Sequence, residues 1–182
     1  MSKASFVPCT VTVFFAALGT LAAALPAGAQ DTEAMIADAL MAAPASLRDT
    51  VQVKDWEGNV LREGQSAYTC YPTPPDAPGT SPMCLDATWE AWGAAWMNKA
   101  DFAAEGTGLA YMMVGDGGAS NVDPYATGDT GDNAWVVEGP HLMLLFPDPA
   151  MLDGFPTDPT NGGPYVMWKG TPYAHVMVPV NQ

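Results

Sequence analysis

Between residues 31 and 43 the apolar positions Met35, Ile36, Ala39, Leu40 and Ala43 recur at helical spacing, and Pro44 closes the run, so a helix is expected there. Thr50-Val51-Gln52-Val53-Lys54 instead alternates in the manner of a strand. Glu57-Gly58-Asn59 reads as a turn, and Val60-Leu61-Arg62 returns as the second arm of a hairpin. A third short strand is expected over residues 67–71. Asp86 suits the N-cap of a helix running to about residue 99, with Trp89, Trp92 and Trp96 on one face. A tryptophan stripe at that spacing reads as core rather than as a sugar-stacking platform. The second half carries short apolar or alternating runs at 109–114, 134–137, 141–146, 165–168 and 174–180. Strands at such spacing, preceded by two helices, predict an α+β fold with a mainly antiparallel sheet.

The N-terminus changes the picture. Lys3, an apolar stretch over residues 6–25 and the ending Pro26-Ala27-Gly28-Ala29 form the pattern of a secretory signal peptide, with cleavage expected after Ala29. Residues 30–182 are then one globular domain, exported to a bacterial periplasm or the medium, with no membrane segment after cleavage. Cys9 departs with the signal. Cys70 and Cys84 remain, and in an oxidising compartment they are expected to pair, closing the loop that contains Pro72-Thr73-Pro74-Pro75-Asp76-Ala77-Pro78.

Composition removes several function classes. The chain of 182 residues holds 6 basic against 20 acidic side chains, a formal net charge of −14, so nucleic acid is a poor partner. A hydrophobic fraction of 48% argues against disorder, and 18 Gly with 17 Pro argue against an all-helical bundle. No basic residue stands between Lys99 and Lys169. Inside that stretch, residues 123–133 combine Asp123, Asp129, Asp132 and Asn133 with glycines. Their spacing does not match an EF-hand, so solvated turns are the expectation rather than a calcium loop.

The familiar catalytic signatures, a G-x-S-x-G elbow, a P-loop and an H-E-x-x-H helix, are missing from the sequence. Two histidines exist, and each opens a His-x-Met triplet: His141-Leu142-Met143 and His175-Val176-Met177. Residues i and i+2 of a strand share a face, so each imidazole projects beside its thioether, and neighbouring strands would bring the four donors together. Imidazole with thioether suits copper, above all Cu(I). The chain has 11 Met, among them Met112, Met113 and Met167. The favoured function is a small exported metal-binding carrier or sensor that takes copper through His141, Met143, His175 and Met177. Three readings compete with it. Both histidines are core residues bonded to backbone carbonyls; or a small enzyme uses His175 or His141 as general base beside an acid such as Asp123 or Asp116; or a non-catalytic binding or envelope module uses the Trp and Tyr residues for contact.

The stretch Gly163-Pro164-Tyr165-Val166-Met167-Trp168-Lys169-Gly170-Thr171-Pro172-Tyr173-Ala174-His175-Val176-Met177-Val178-Pro179 resembles a set of small exported bacterial proteins of uncharacterised function. The likeness extends through Cys70, Cys84 and Gly139-Pro140-His141, and it implies export and a shared fold, but no activity. His141-Leu142-Met143 and His175-Val176-Met177 also resemble the His-x-Met strand of periplasmic His/Met copper chaperones. That second resemblance implies copper chemistry, not a shared fold.

Overall fold

The computed structural model describes Met1 and residues 27–180. Most of the expected signal peptide, with Cys9, lies outside the described residues. The elements run α1 (Ala27–Met41), β1 (Gln52–Lys54), β2 (Val60–Arg62), β3 (Thr69–Tyr71), β4 (Met83–Leu85), α2 (Ala87–Met97), β5 (Gly108–Met112), β6 (Ala119–Ser120), β7 (Trp135–Val136), β8 (His141–Leu145), β9 (Tyr165–Met167) and β10 (His175–Pro179), with two 3₁₀ turns between β8 and β9.

Eight strands form one sheet in the order β2-β1-β3-β4-β5-β8-β10-β9, and β6 pairs with β7 apart from it. Every pairing is antiparallel except β1 with β3. The fold is thus α+β with a mainly antiparallel sheet, as expected. Two strands were not anticipated. β4 lies where the Cys70–Cys84 loop was expected to continue, and β6 is a two-residue strand whose β-structure exists only through its bonds to β7. The expected strand at 134–137 joins this small sheet and not the large one.

The two helices cover opposite faces. On one, Ala39 in the last turn of α1 and Ala42 and Ala43 just after it pack on Val51, Val53, Cys70 and Cys84, all buried. Their small side chains let the helix backbone come close, with Cys84 Sγ only 3.9 Å from Ala39 O. On the other face α2 lies over Leu85, Ala110, Met143 and Met177, sending Trp89 into the core. Asp86 fixes that helix at both ends of its own carboxylate: Oδ1 accepts from Trp89 N at 2.9 Å as an N-cap, and Oδ2 accepts from Leu109 N at 2.7 Å on β5.

Cys70 and Cys84 are bonded. They face each other across β3 and β4 with Cα atoms 3.9 Å apart, and both are fully buried. The loop they close is anchored further by Thr73 N donating to Asp38 Oδ2 at 2.6 Å and by Gly117 N donating to Ser81 Oγ at 3.0 Å. Gly117 has to be glycine at this contact, because a Cβ there would lie 1.1 Å from Pro78 O.

Replacing both cysteines by alanine is expected to lower stability by about 3 kcal/mol, the value for closing a loop of this size. Urea unfolding followed by circular dichroism measures it, and an unchanged midpoint would mean that the α1 contacts alone hold the two strands in register.

Candidate functional site

The sheet face beneath α2 carries all the donors picked out in the sequence. β8 and β10 are neighbours, with Met143 directly opposite Met177 and His141 opposite Pro179. Across the next strands Met112 faces His141, Ala110 faces Met143, and Tyr165 faces Met177. Each histidine does share a face with the methionine two residues on. Strand direction, however, offsets the two histidines along the sheet, while their imidazoles remain close enough to interact electrostatically. Because β8 and β10 run oppositely, His175 lies four residues from Pro179, so about 13 Å of strand stands between it and His141. The structure brings Met143 and Met177 together and puts the two histidines at opposite ends of that pair.

Both rings are held in the same way. His141 Nδ1 lies 2.7 Å from Gly139 O and His175 Nδ1 lies 2.9 Å from Tyr173 O, in each case the carbonyl two residues earlier. A carbonyl only accepts, so Nδ1 bears the proton and, in the neutral ring, Nε2 presents a lone pair. His141 is 0% exposed, and its Nε2 is buried with no hydrogen-bond partner.

Polar groups gather at the His141 end. A glycine-rich turn after β5 presents Asp116, whose Oδ1 accepts from Gly118 N at 2.9 Å and from Glu138 N at 3.2 Å. Burial pushes its carboxyl up, while the nearby His141 pulls it the other way. Tyr165 donates to Glu138 Oε2 at 2.8 Å, and burial followed by that bond raises its phenol. Asp123, the other acid considered as a partner for a histidine, sits on the exposed loop and accepts from Tyr125 N at 2.9 Å. Asp129 and Asp132 there accept from Gly131 N and Thr130 Oγ1. These carboxylates shape turns. Among the described residues no three His, Cys, Asp or Glu side chains are grouped as metal ligands.

The His175 end is aromatic. Trp89, Trp92 and Trp168 surround the imidazole at 5.2, 5.6 and 5.2 Å between centroids, each nearly perpendicular to it. Of the helical stripe, Trp89 lies inside the core and Trp92 and Trp96 are half-buried against it. Sequence reasoning missed Trp168, which stacks on Trp92 at 5.7 Å with 4° between planes. Its backbone is left-handed, at φ 56°, a conformation that costs a bulky residue about 1 to 3 kcal/mol. Three contacts hold it there: Nε1 to Ser120 O at 2.6 Å, the backbone N to Asn121 O at 2.9 Å, and Thr171 Oγ1 to its carbonyl at 2.8 Å. No local signal in the sequence reports that turn.

No protein-family model, curated protein or solved structure matches the chain.

Burial lowers the His175 value from 6.5 to about 4. The unfolded chain takes up the proton first, so the contribution of this buried neutral ring is complete above about pH 6.5 and is lost as the pH falls towards 4. The stability difference between wild type and His175→Gln is expected to shrink by about 3 kcal/mol between pH 7 and pH 4. Urea unfolding at each pH measures it, and a constant difference would refute a neutral caged imidazole.

Proposed function

We propose that the protein is an exported carrier or sensor that binds a soft metal ion, copper as Cu(I), at the His141 end of the methionine face. The observation that carries the reading is His141 itself: a fully buried imidazole with Nδ1 anchored on Gly139 O and Nε2 left without a partner. Metal-binding histidines are typically held by that second hydrogen bond, which fixes the tautomer and aims the free lone pair. Thioethers are the donors at hand. Met112 faces His141 across β5 and β8, Met143 follows it on the same face, and Met177 faces Met143. The resulting donor set is His141 with Met112, Met143 and Met177. His175 belongs to the indole cage at the far end and serves the fold. Export is supported by the N-terminal sequence pattern and suits the buried Cys70–Cys84 bond.

A second reading makes His141 a general base assisted by Asp116, on the strength of their electrostatic interaction. A base has to meet its substrate, and the complete burial of His141 favours the metal over this chemistry.

Anaerobic titration with Cu(I) against a competing chelator tests the proposal. Wild type is expected to bind one equivalent, and His141→Gln, Met143→Leu and Met112→Leu to weaken binding by about tenfold or more. Met→Leu roughly conserves volume, so circular dichroism should stay unchanged. His175→Gln is expected to bind as wild type does. Absence of copper binding by folded wild type ends the carrier reading, and equal losses in both histidine variants would restore the four-donor site expected from the sequence.

A further inference from the structure

We propose that Tyr125, Trp96, Trp92 and Trp168 form a relay that carries single oxidising equivalents from the methionine-lined core to the protein surface. The rings make a column. Tyr125 stacks on Trp96 at 5.9 Å and 9°, Trp96 on Trp92 at 6.4 Å and 4°, and Trp92 on Trp168 at 5.7 Å and 4°. Three successive contacts with nearly parallel planes leave the π systems facing one another throughout. Perpendicular contacts, the commoner alternative within aromatic clusters, surround the column instead, at His175 and Tyr173.

The two ends differ as a relay requires. The inner ring, Trp168, belongs to the same buried cluster as Met143, Met167 and Met177 and directly follows Met167 in the chain. The outer ring, Tyr125, is 37% exposed. Its hydroxyl donates to the Tyr173 hydroxyl at 3.0 Å and to Trp96 O at 3.2 Å, and desolvation with the Tyr173 bond pushes the phenol up to about 12, so the proton leaves only once the ring has been oxidised. Trp168 also adopts its place against backbone preference, with φ 56°, so its stacking on Trp92 is imposed by the surrounding hydrogen bonds.

The chemistry proceeds by one electron at a time. A small one-electron oxidant of the radical class takes an electron from the thioether of Met167 or Met177, leaving a sulfur radical cation. Trp168 returns that electron and becomes the indole radical cation. Trp92 then reduces Trp168, and Trp96 reduces Trp92. Tyr125 reduces Trp96 and releases its phenolic proton to water, which leaves a neutral phenoxyl radical outside and every inner ring restored. A soluble hydrogen-atom donor such as a thiol returns a hydrogen atom to Tyr125 and is itself left as a thiyl radical. The first and last transfers run downhill, because thioethers are harder to oxidise than indoles, and indoles harder than a phenol that sheds its proton; the two transfers between indoles are close to isoenergetic. No metal takes part, so the relay stands or falls independently of the copper site.

Dibromide radical anions generated by pulse radiolysis, which oxidise thioethers as well as indoles, oxidise the protein, and a nitroso spin trap followed by peptide mass spectrometry locates the radical. Wild type is expected to give the adduct chiefly on Tyr125. Trp96→Phe keeps an aromatic ring but is too hard to oxidise; it should cut the Tyr125 adduct several-fold and raise sulfoxide at Met167 and Met177. Trp96→Tyr, which is oxidisable, should recover much of the Tyr125 yield. Trp56→Phe interrupts the separate Trp56–Tyr71 stack, whose centroids are 5.0 Å apart, and should leave Tyr125 unaffected. If folded Trp96→Phe and Trp96→Tyr behave alike, or if Trp96→Phe leaves the Tyr125 adduct at the wild-type yield, the column is packing and the relay is refuted.

Discussion

The face beneath α2 is organised by the pairing of β8 with β10 that sets Met143 against Met177. Strand side chains alternate with a period of two, so this register also decides the opposite face, where Val176 pairs with Leu144 and Val178 with Leu142. A slip of β10 by one residue would carry His175 and Met177 to the other side and bring valines under the tryptophans. Burying two imidazoles is tolerable because each ring finds an acceptor in its own chain, two residues back. That local bond makes a polar ring compatible with an apolar sheet face, and it leaves Nε2 as the group that distinguishes the two sites.

Opposite ends of the register carry different chemistry. Near His141 the cluster is polar and tightly braced. The turn that holds Asp116 is pinned to the disulfide loop through Gly117 and Ser81, and Glu138 ties it to Tyr165 on β9. The Cys70–Cys84 bond therefore supports two things: the strands it joins and, through the loop it closes, the placement of an acid beside His141. Near His175 the surroundings are indole and thioether, and the ring is held uncharged. The metal reading draws on the first end. The aromatic column begins at the second.

These assignments give different meanings to side chains that look equivalent along the chain. Met143 and Met177 lie between the two ends and belong to both. Trp92 packs the helix onto the sheet, edges His175 and connects Trp96 to Trp168. A core built this way does structural work at every position, so residues are separated by what replacement changes chemically, with volume kept: leucine for a thioether, phenylalanine for an indole.

Much of this was local and therefore legible. The helical spacing of Trp89, Trp92 and Trp96, the Asp86 cap, the hairpin after Lys54 and the sharing of a face by each His and its Met all follow from periods of 3.6 and 2, which the chain displays without reference to its fold. The Cys70–Cys84 pairing was legible too, because only two cysteines remain beyond the expected leader. The short strands β4 and β6 were not, since three and two residues carry no period and become strands only through partners distant in the chain. The separation of His141 from His175 was equally hidden. Periodicity determines which side of a strand a residue occupies, whereas strand order and direction come from burying many segments at once. The same holds for Trp168: the hydrogen bonds it donates to the carbonyls of Ser120 and Asn121, far away in sequence, hold it in a left-handed turn, and only the assembled structure supplies these acceptors.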